Sequence, residues 1–375
     1  MTLQEFFRWT EADGTAAQNR WRSENGAPAP KRVVVADDRT TADAAFKLVC
    51  EGTALLWRGD FHNARQLLTA LARRVDRKGA KPGATPAESF HLHRQAQSRR
   101  TRILGMLVVG VEPGHVVPLR RAPEVTEACT GAYGPADEPY TVSLRELLGV
   151  IGAHEWRRNG VRIPALGGDR IHPHYGVFSP ARGEYVDLIA EAPLPALSTA
   201  FDIGTGTGVL SAVLARRGVH RVVATDQDPR ALECARENLG RLGLGDAVEV
   251  VEADLFPAGR APLVVCNPPW VPARPRTPVE YAVYDPDSRM LQGFLDGLPD
   301  HLEPGGEGWL ILSDLAEHLG LRTREELLNR FEKSGLRVLD RLDIAPRHPR
   351  ARDTTDPLHE ARSAEVTSLW RLTAD

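Results

Sequence analysis

From residue 199 onward, short runs of apolar, strand-favouring residues alternate with stretches whose apolar positions recur every three or four residues. The runs predict strands at Ala200–Ile203, Arg221–Thr225, Ala247–Val251, Leu263–Cys266 and Gly308–Ser313, with two more at Arg337–Leu342 and Glu365–Leu372. Helical spacing fits between them, at Val209–Arg217, Pro229–Arg241, Asp287–His301 and Thr323–Lys333. This alternation predicts an α/β domain of Rossmann-like type, a parallel-rich sheet of seven strands with helices on both faces.

The first half carries a weaker pattern. Ala44 to Val75 reads as one helix, with apolar residues around Leu55-Leu56, Leu67-Leu68 and Leu71 and with Gly59 as a breaker. A loop by composition follows from Lys78 to Pro86, then a strand-like run at Ile103–Val111, a short helix at Ser143–Ile151 and a Gly/Pro/His-rich stretch from Gly160 to Pro180. The expected division is an N-terminal mixed α/β domain over 1–170, a candidate for substrate recognition, and a catalytic domain over 171–375.

Composition narrows the class. A hydrophobic content of 42% with 26% charged residues is that of a globular chain, and no run of ~18 apolar residues offers a membrane span. The start Met1-Thr2-Leu3-Gln4-Glu5 lacks the basic and apolar regions of a signal peptide, so a cytoplasmic protein with no membrane partner is expected. Cys50, Cys129, Cys234 and Cys266 form no CxxC pair and read as reduced thiols. His91, His93, His172 and His174 have no carboxylate or cysteine at ligand spacing, and no metal is expected.

Charge is uneven along the chain. Residues 1–190 hold 26 Lys/Arg against 21 Asp/Glu, and residues 191–375 hold 21 against 29, balances of +5 and −8. Eleven basic residues fall within 58–102 (Arg58, Arg65, Arg73, Arg74, Arg77, Lys78, Lys81, Arg94, Arg99, Arg100 and Arg102), a candidate phosphate-binding patch or a solvated helix face.

Candidate chemistry lies at the predicted strand ends. The first strand runs into Asp202-Ile-Gly204-Thr205-Gly206-Thr-Gly208 directly before a helix, where glycines allow a sharp turn and close approach to a ligand. Alone, that loop could equally cradle a dinucleotide, although Val209 stands where the third fingerprint glycine would be. Asp226 ends the second strand and can bond ribose hydroxyls; Asp228 competes for that role or caps the helix that opens at Pro229. Asp254 follows the third strand, placed to meet an adenine amine.

At the end of the fourth strand stands Asn267-Pro268-Pro269-Trp270. Two prolines fix the backbone, so the Asn267 side chain and the Pro268 carbonyl are held as two acceptors. An –NH2 group donating one hydrogen to each has its lone pair turned out of conjugation and made nucleophilic. The indole of Trp270 offers a flat face on which an amide or base can stack. The following stretch, Val271 to Tyr284, brings Arg274, Arg276 and Tyr281 as candidate substrate contacts, and Ala345 to Ala364 adds Arg347, His348, Arg350 and Arg352.

This order of elements resembles the class I S-adenosylmethionine-dependent N-methyltransferases, above all the group of release-factor glutamine and small-domain ribosomal RNA methyltransferases. The likeness covers roughly residues 172–375, and Tyr175-Gly-Val-Phe-Ser-Pro180 is similar to the segment that closes over the cofactor in the rRNA enzymes. It implies that Asp202, Gly204, Thr205, Gly206 and Gly208 meet the methionine part of the cofactor, Asp226 the ribose and Asp254 the adenine. By the same resemblance, Asn267 and Pro268 hold the target nitrogen, and Asn267 also contacts the cofactor. Trp270 departs from the Tyr or Phe commoner in these groups. The leading expectation is an N-methyltransferase acting on RNA, with protein glutamine or a small planar amine as alternatives. From another class, a non-catalytic RNA-binding protein could retain the cofactor fold.

Overall fold

The computed structural model describes residues 5–11, 13–77, 83–181, 183–275, 278–347 and 353–374. The chain divides into two compact units, one of residues 1–82 and 91–155, the other of 83–90 and 156–375. From the N-terminus run β1 (Phe6–Thr10), β2 (Ala16–Arg22), β3 (Arg32–Ala36), α1 (Ala42–Cys50), β4 (Thr53–Trp57), α2 (Phe61–Asp76), α3 (Pro86–Leu104), β5 (Leu107–Val111), α4 (Thr126–Tyr133), β6 (Tyr140–Ser143) and α5 (Leu144–Asn159).

The six strands of the first unit form one mixed sheet in the order β1-β2-β6-β5-β4-β3. Strands β3, β4 and β5 are parallel, as are β2 and β6, while β1–β2 and β5–β6 are antiparallel. Although β1 and β3 are the two ends of that order, they lie against each other. The sheet therefore rolls into an open barrel around Phe7, Ala54, Leu56 and Val108, flanked by Trp9, Trp21, Val33, Val35 and Met106. On its other face, α2 buries Phe61, Ala64, Leu67 and Leu71, one stripe at helical spacing.

The single helix expected over Ala44–Val75 is three elements. Gly52, at φ +79°, ends α1, and Thr53–Trp57 is a strand buried at every position. A strand covered on both faces has no polar alternation, so Leu55-Leu56 gave no strand signal. Asp60 then starts α2 by accepting from the His62 N–H at 2.9 Å. Of the run Ile103–Val111, the first two residues finish α3 and only Leu107–Val111 is strand.

The second unit follows its periodicity closely. A two-stranded ribbon, β7 (Val161–Arg162) and β8 (Arg170–Ile171), precedes α6 (Glu184–Glu191). Next come β9 (Thr199–Ile203), α7 (Val209–Arg216), β10 (Arg221–Asp226), α8 (Pro229–Arg241), β11 (Val248–Glu252), β12 (Ala261–Cys266), α9 (Arg289–His301) and β13 (Leu302–Ser313). The chain finishes with α10 (Leu315–His318), α11 (Arg324–Lys333), β14 (Leu336–Ile344), α12 (His359–Ala364) and β15 (Thr367–Ala374). The sheet has seven strands in the order β11-β10-β9-β12-β13-β15-β14, with β15 antiparallel to both its neighbours.

Successive residues of each strand serve opposite cores. Ala200, Ala224, Val265 and Ile311 join Ile189, Leu210 and Val213 on one side; Phe201, Val223, Val264 and Leu310 join Phe294, Leu298 and Phe331 on the other. From β9 the chain works outward through β10 and β11, then returns to β12 on the opposite flank and continues to β13. The order reverses between β9 and β12, and open sheets of this kind bind ligands in the crevice at that point. No helix among the described residues is long and apolar enough to cross a membrane.

Candidate functional site

Strands β9 and β12 pair in parallel with Ile203 opposite Cys266. The residues that follow, Gly204 and Asn267, therefore leave the sheet side by side at the switch point. Asp226 and Asp254 leave the same edge after β10 and β11. The sheet thus brings Asp202, the glycine loop, Asp226, Asp254 and Asn267 to one rim.

The loop after β9 needs its glycines. Gly204, Gly206 and Gly208 have φ of +70°, +56° and +80°, a left-handed run that side chains disfavour. A Cβ on Gly208 would lie 3.3 Å from the Ala235 backbone, whereas one on Gly206 would meet nothing within 4 Å, so Gly206 faces open space. Asp202 anchors the turn from beneath. Its Oδ2 accepts from Thr205 Oγ1 at 2.7 Å, Ser211 Oγ at 2.6 Å and the Ser211 N–H at 3.1 Å. Burial raises its carboxyl above the ordinary range; those hydrogen bonds oppose the rise and the charge of Asp226 adds to it.

Asp226 accepts from the Gly206 N–H at 3.0 Å and from the Asp228 N–H at 3.0 Å, so it also shapes the glycine loop. Its carboxyl is raised as well, chiefly by burial. Asp228 caps α8, accepting from the Arg230 N–H at 2.9 Å with Pro229 in the first helical position. Asp254 is exposed and pairs with Arg289 at 3.3 Å. Next to it Leu255 holds φ +76°, and its carbonyl accepts from Thr225 Oγ1 at 2.5 Å.

At the end of β12, the indole N–H of Trp270 donates to Asn267 Oδ1 at 2.9 Å. The Trp270 side chain packs against both cores of the sheet and against the small cluster that contains Val271 and Leu319. It is thus part-buried among apolar neighbours. Beyond it the chain returns through the Val271–Tyr284 bridge, and Asp285 caps α9 by accepting from the Met290 and Leu291 N–H groups, each at 3.0 Å. Arg274 and Tyr281 lie on the exposed side of this loop, Tyr281 with 66% of its surface open. Arg276 lies outside the described residues.

Two residues that sequence reasoning passed over support the loop. Ser211 supplies two of the three donors to Asp202. Asn238, buried in α8, donates to the Thr207 carbonyl at 3.1 Å and accepts from the His172 N–H at 2.8 Å. A buried asparagine between Ala235 and Leu239 on an apolar helix face is the signal that could have found it. The segment upstream runs along α8, with Val177 packed on Ala231 and Cys234. His172 Nδ1 sits 2.6 Å from the Arg157 carbonyl and His174 Nε2 2.6 Å from Glu237, so both rings serve the scaffold.

Part of the basic stretch of the first unit is engaged within the unit, while Arg65, Arg73, Arg77, Arg99 and Arg102 are exposed. Arg58 pairs with Glu11, Arg74 with Asp43 and Arg100 with Asp76, and Arg94 is buried. In the second unit Arg347 pairs with Asp187 at 2.9 Å. Lys78, Lys81, His348, Arg350 and Arg352 lie outside the described residues.

Comparison with known proteins matches residues 169–334 to the methyltransferase small domain. Release factor glutamine methyltransferase of Cereibacter sphaeroides is 35% identical over 144 residues, 33% of this chain and 50% of that protein. The protein of the same name from Geobacter sulfurreducens is 33% identical over 167 residues, 40% of this chain and 56% of its own length. Ribosomal protein L11 methyltransferase of Pelotomaculum thermopropionicum is 48% identical over 71 residues, 18% of this chain and 23% of that protein. The chain spans about half the length of the first two relatives. Residues 169–334 are thus similar to the methyltransferase small domain, and the order of motifs within them resembles the S-adenosylmethionine-dependent type.

Proposed function

We propose, from the methyltransferase small domain at 169–334, that this protein transfers a methyl group from S-adenosylmethionine to the nitrogen of a protein side-chain amide, glutamine being the favoured target. The observation that carries the reading is the placement of Asn267 and Pro268 beside the glycine loop at the sheet's switch point.

The residues present fit the cofactor. Gly206 faces open space, so the backbone can approach a ligand there. None of the described residues donates to Asp202 Oδ1, which leaves that oxygen for the amino group of the methionine part. Asp226 would take the ribose hydroxyls, and Asp254, once released from Arg289, the adenine amine. When bound, the cofactor supplies an electrophilic methyl group on a sulfonium leaving group. The chain's own contribution is orientation and electrostatics. Asn267 Oδ1 and the Pro268 carbonyl each accept one hydrogen of the target –NH2. They turn its lone pair out of conjugation, and they stabilise the positive charge that grows on nitrogen more than they stabilise the ground state.

One observation favours a protein amide over RNA, the leading expectation from sequence. The relatives are named for glutamine in release factors and for ribosomal protein L11. The test is to incubate the protein with methyl-labelled S-adenosylmethionine and separate protein and RNA fractions of a cell extract. Label on N-methylglutamine after digestion is the expected result. Label confined to RNA overturns the amide assignment, and label on carbon or oxygen overturns transfer to nitrogen.

A further inference from the structure

Asn267 can present its carboxamide in two flips, oxygen and nitrogen exchanging places with little change of shape. For an acceptor of substrate N–H groups, only one flip is useful. Trp270 discriminates between them, because an indole N–H is donor only: facing Oδ1 it makes a hydrogen bond, facing Nδ2 it would meet another donor. The 2.9 Å contact from Trp270 Nε1 to Asn267 Oδ1 is therefore selective as well as attractive. The ring is part-buried, packing against both cores of the sheet and against the cluster that contains Val271.

We infer that Trp270 is a positioning residue, whose indole N–H locks the Asn267 carboxamide with its oxygen as the acceptor and leaves the second lone pair of Oδ1 for the target nitrogen. This rests on the proposed transfer to nitrogen and assigns Trp270 a role other than stacking. A tyrosine or phenylalanine at this position has the aromatic ring and lacks a donor at the indole nitrogen's place, so the lock is particular to tryptophan here.

Trp270→Phe keeps an aromatic ring and removes the donor. The expected result is a kcat about tenfold lower, the worth of one hydrogen bond, with KM for the protein substrate and the Kd for S-adenosylmethionine changed less than about twofold. Loss of cofactor affinity in step with kcat would mean that Trp270 holds the loop and not the acceptor, and an unchanged kcat would remove the lock altogether. Hydrogen exchange at the indole nitrogen of 15N-labelled protein reads the contact without turnover. The Trp270 indole proton should exchange slowly in the wild type and at least tenfold faster in Asn267→Ala; equal rates overturn the proposal. Because this second measurement needs no methyl transfer, it separates failure of the lock from failure of the proposed reaction.

Discussion

Asp60 and Asp202 are both buried carboxylates near the carboxyl ends of parallel-paired strands, Asp60 directly before α2 and Asp202 at the end of β9 before the glycine loop, and they are wired in opposite ways. In the first unit, Asp60 Oδ2 takes Nε–H from both Arg120, at 2.9 Å, and Arg121, at 2.7 Å, while Oδ1 takes the His62 N–H. The bond from Arg121, reinforced by Arg120 and His62 against the cost of burial, pulls its carboxyl far below the usual range. In the second unit, burial pushes Asp202 upward and its three donors all crowd on Oδ2. A carboxylate saturated by cations of its own unit is a fastener. One that burial shifts upward, with an oxygen left over, is suited to a ligand's positive group.

The largest effect is expected at Asn267, the proposed acceptor for the target nitrogen. Asn267→Ala removes an oriented acceptor and should lower kcat by about 10²–10³, with S-adenosylmethionine affinity within about twofold of wild type. Calorimetric titration beside a turnover assay checks this. Equal loss in both would make Asn267 a cofactor residue and not an acceptor for the target nitrogen.

The two aspartates should respond in opposite senses. Asp202→Asn removes a carboxylate whose folded pKa is raised, so the melting temperature should hold or rise while the cofactor Kd weakens about tenfold to hundredfold, the worth of a charge-assisted bond. Asp60→Ala strands two arginines and uncaps α2, and it should lower the melting temperature by roughly 5 °C or more with cofactor affinity intact. If Asp60→Ala weakens cofactor binding as much as Asp202→Asn does, the contrast between fastener and ligand site is lost.

How much of this was legible follows from where each residue's information lies. In the second unit the alternation of strand and helix is local: Pro229 and Asp228 announce α8, the glycines announce the loop after β9, and the helix bounds agree with the pattern. In the first unit the decisive facts are not local. Thr53–Trp57 is a strand only because neighbours cover both its faces, and Asp60 meets Arg120 and Arg121 across sixty residues of chain. At the site, Asp202 and Asn267 could be named from spacing, whereas Ser211 and Asn238 could not. A serine and an asparagine take their meaning from what the fold sets beside them. Trp270 was visible as an aromatic, yet the direction of its N–H was not.

The smallest expected effect tests the scaffold beneath the site. Burial alone would raise Glu237, but hydrogen bonds from Arg241, His174 and Arg157 bring it down to about 2 from its ordinary 4.5. A carboxyl depressed by folding contributes stability that is fully present above its unfolded pKa and is lost as pH falls through the folded value. That window runs from about 4.5 down to about 2. Glu237→Gln should therefore melt roughly 2–4 °C lower at pH 7, and the gap to wild type should close across the window. Asp202 has the opposite sign, since its raised carboxyl favours the folded state as protons are added, so Asp202→Asn should lose a gain that wild type shows on moderate acidification. Melting both variants from pH 7 to pH 3 separates the two. A Glu237→Gln gap that persists at the acid end would mean that the glutamate acts by packing between α8 and the His172–His174 segment, not through its charge.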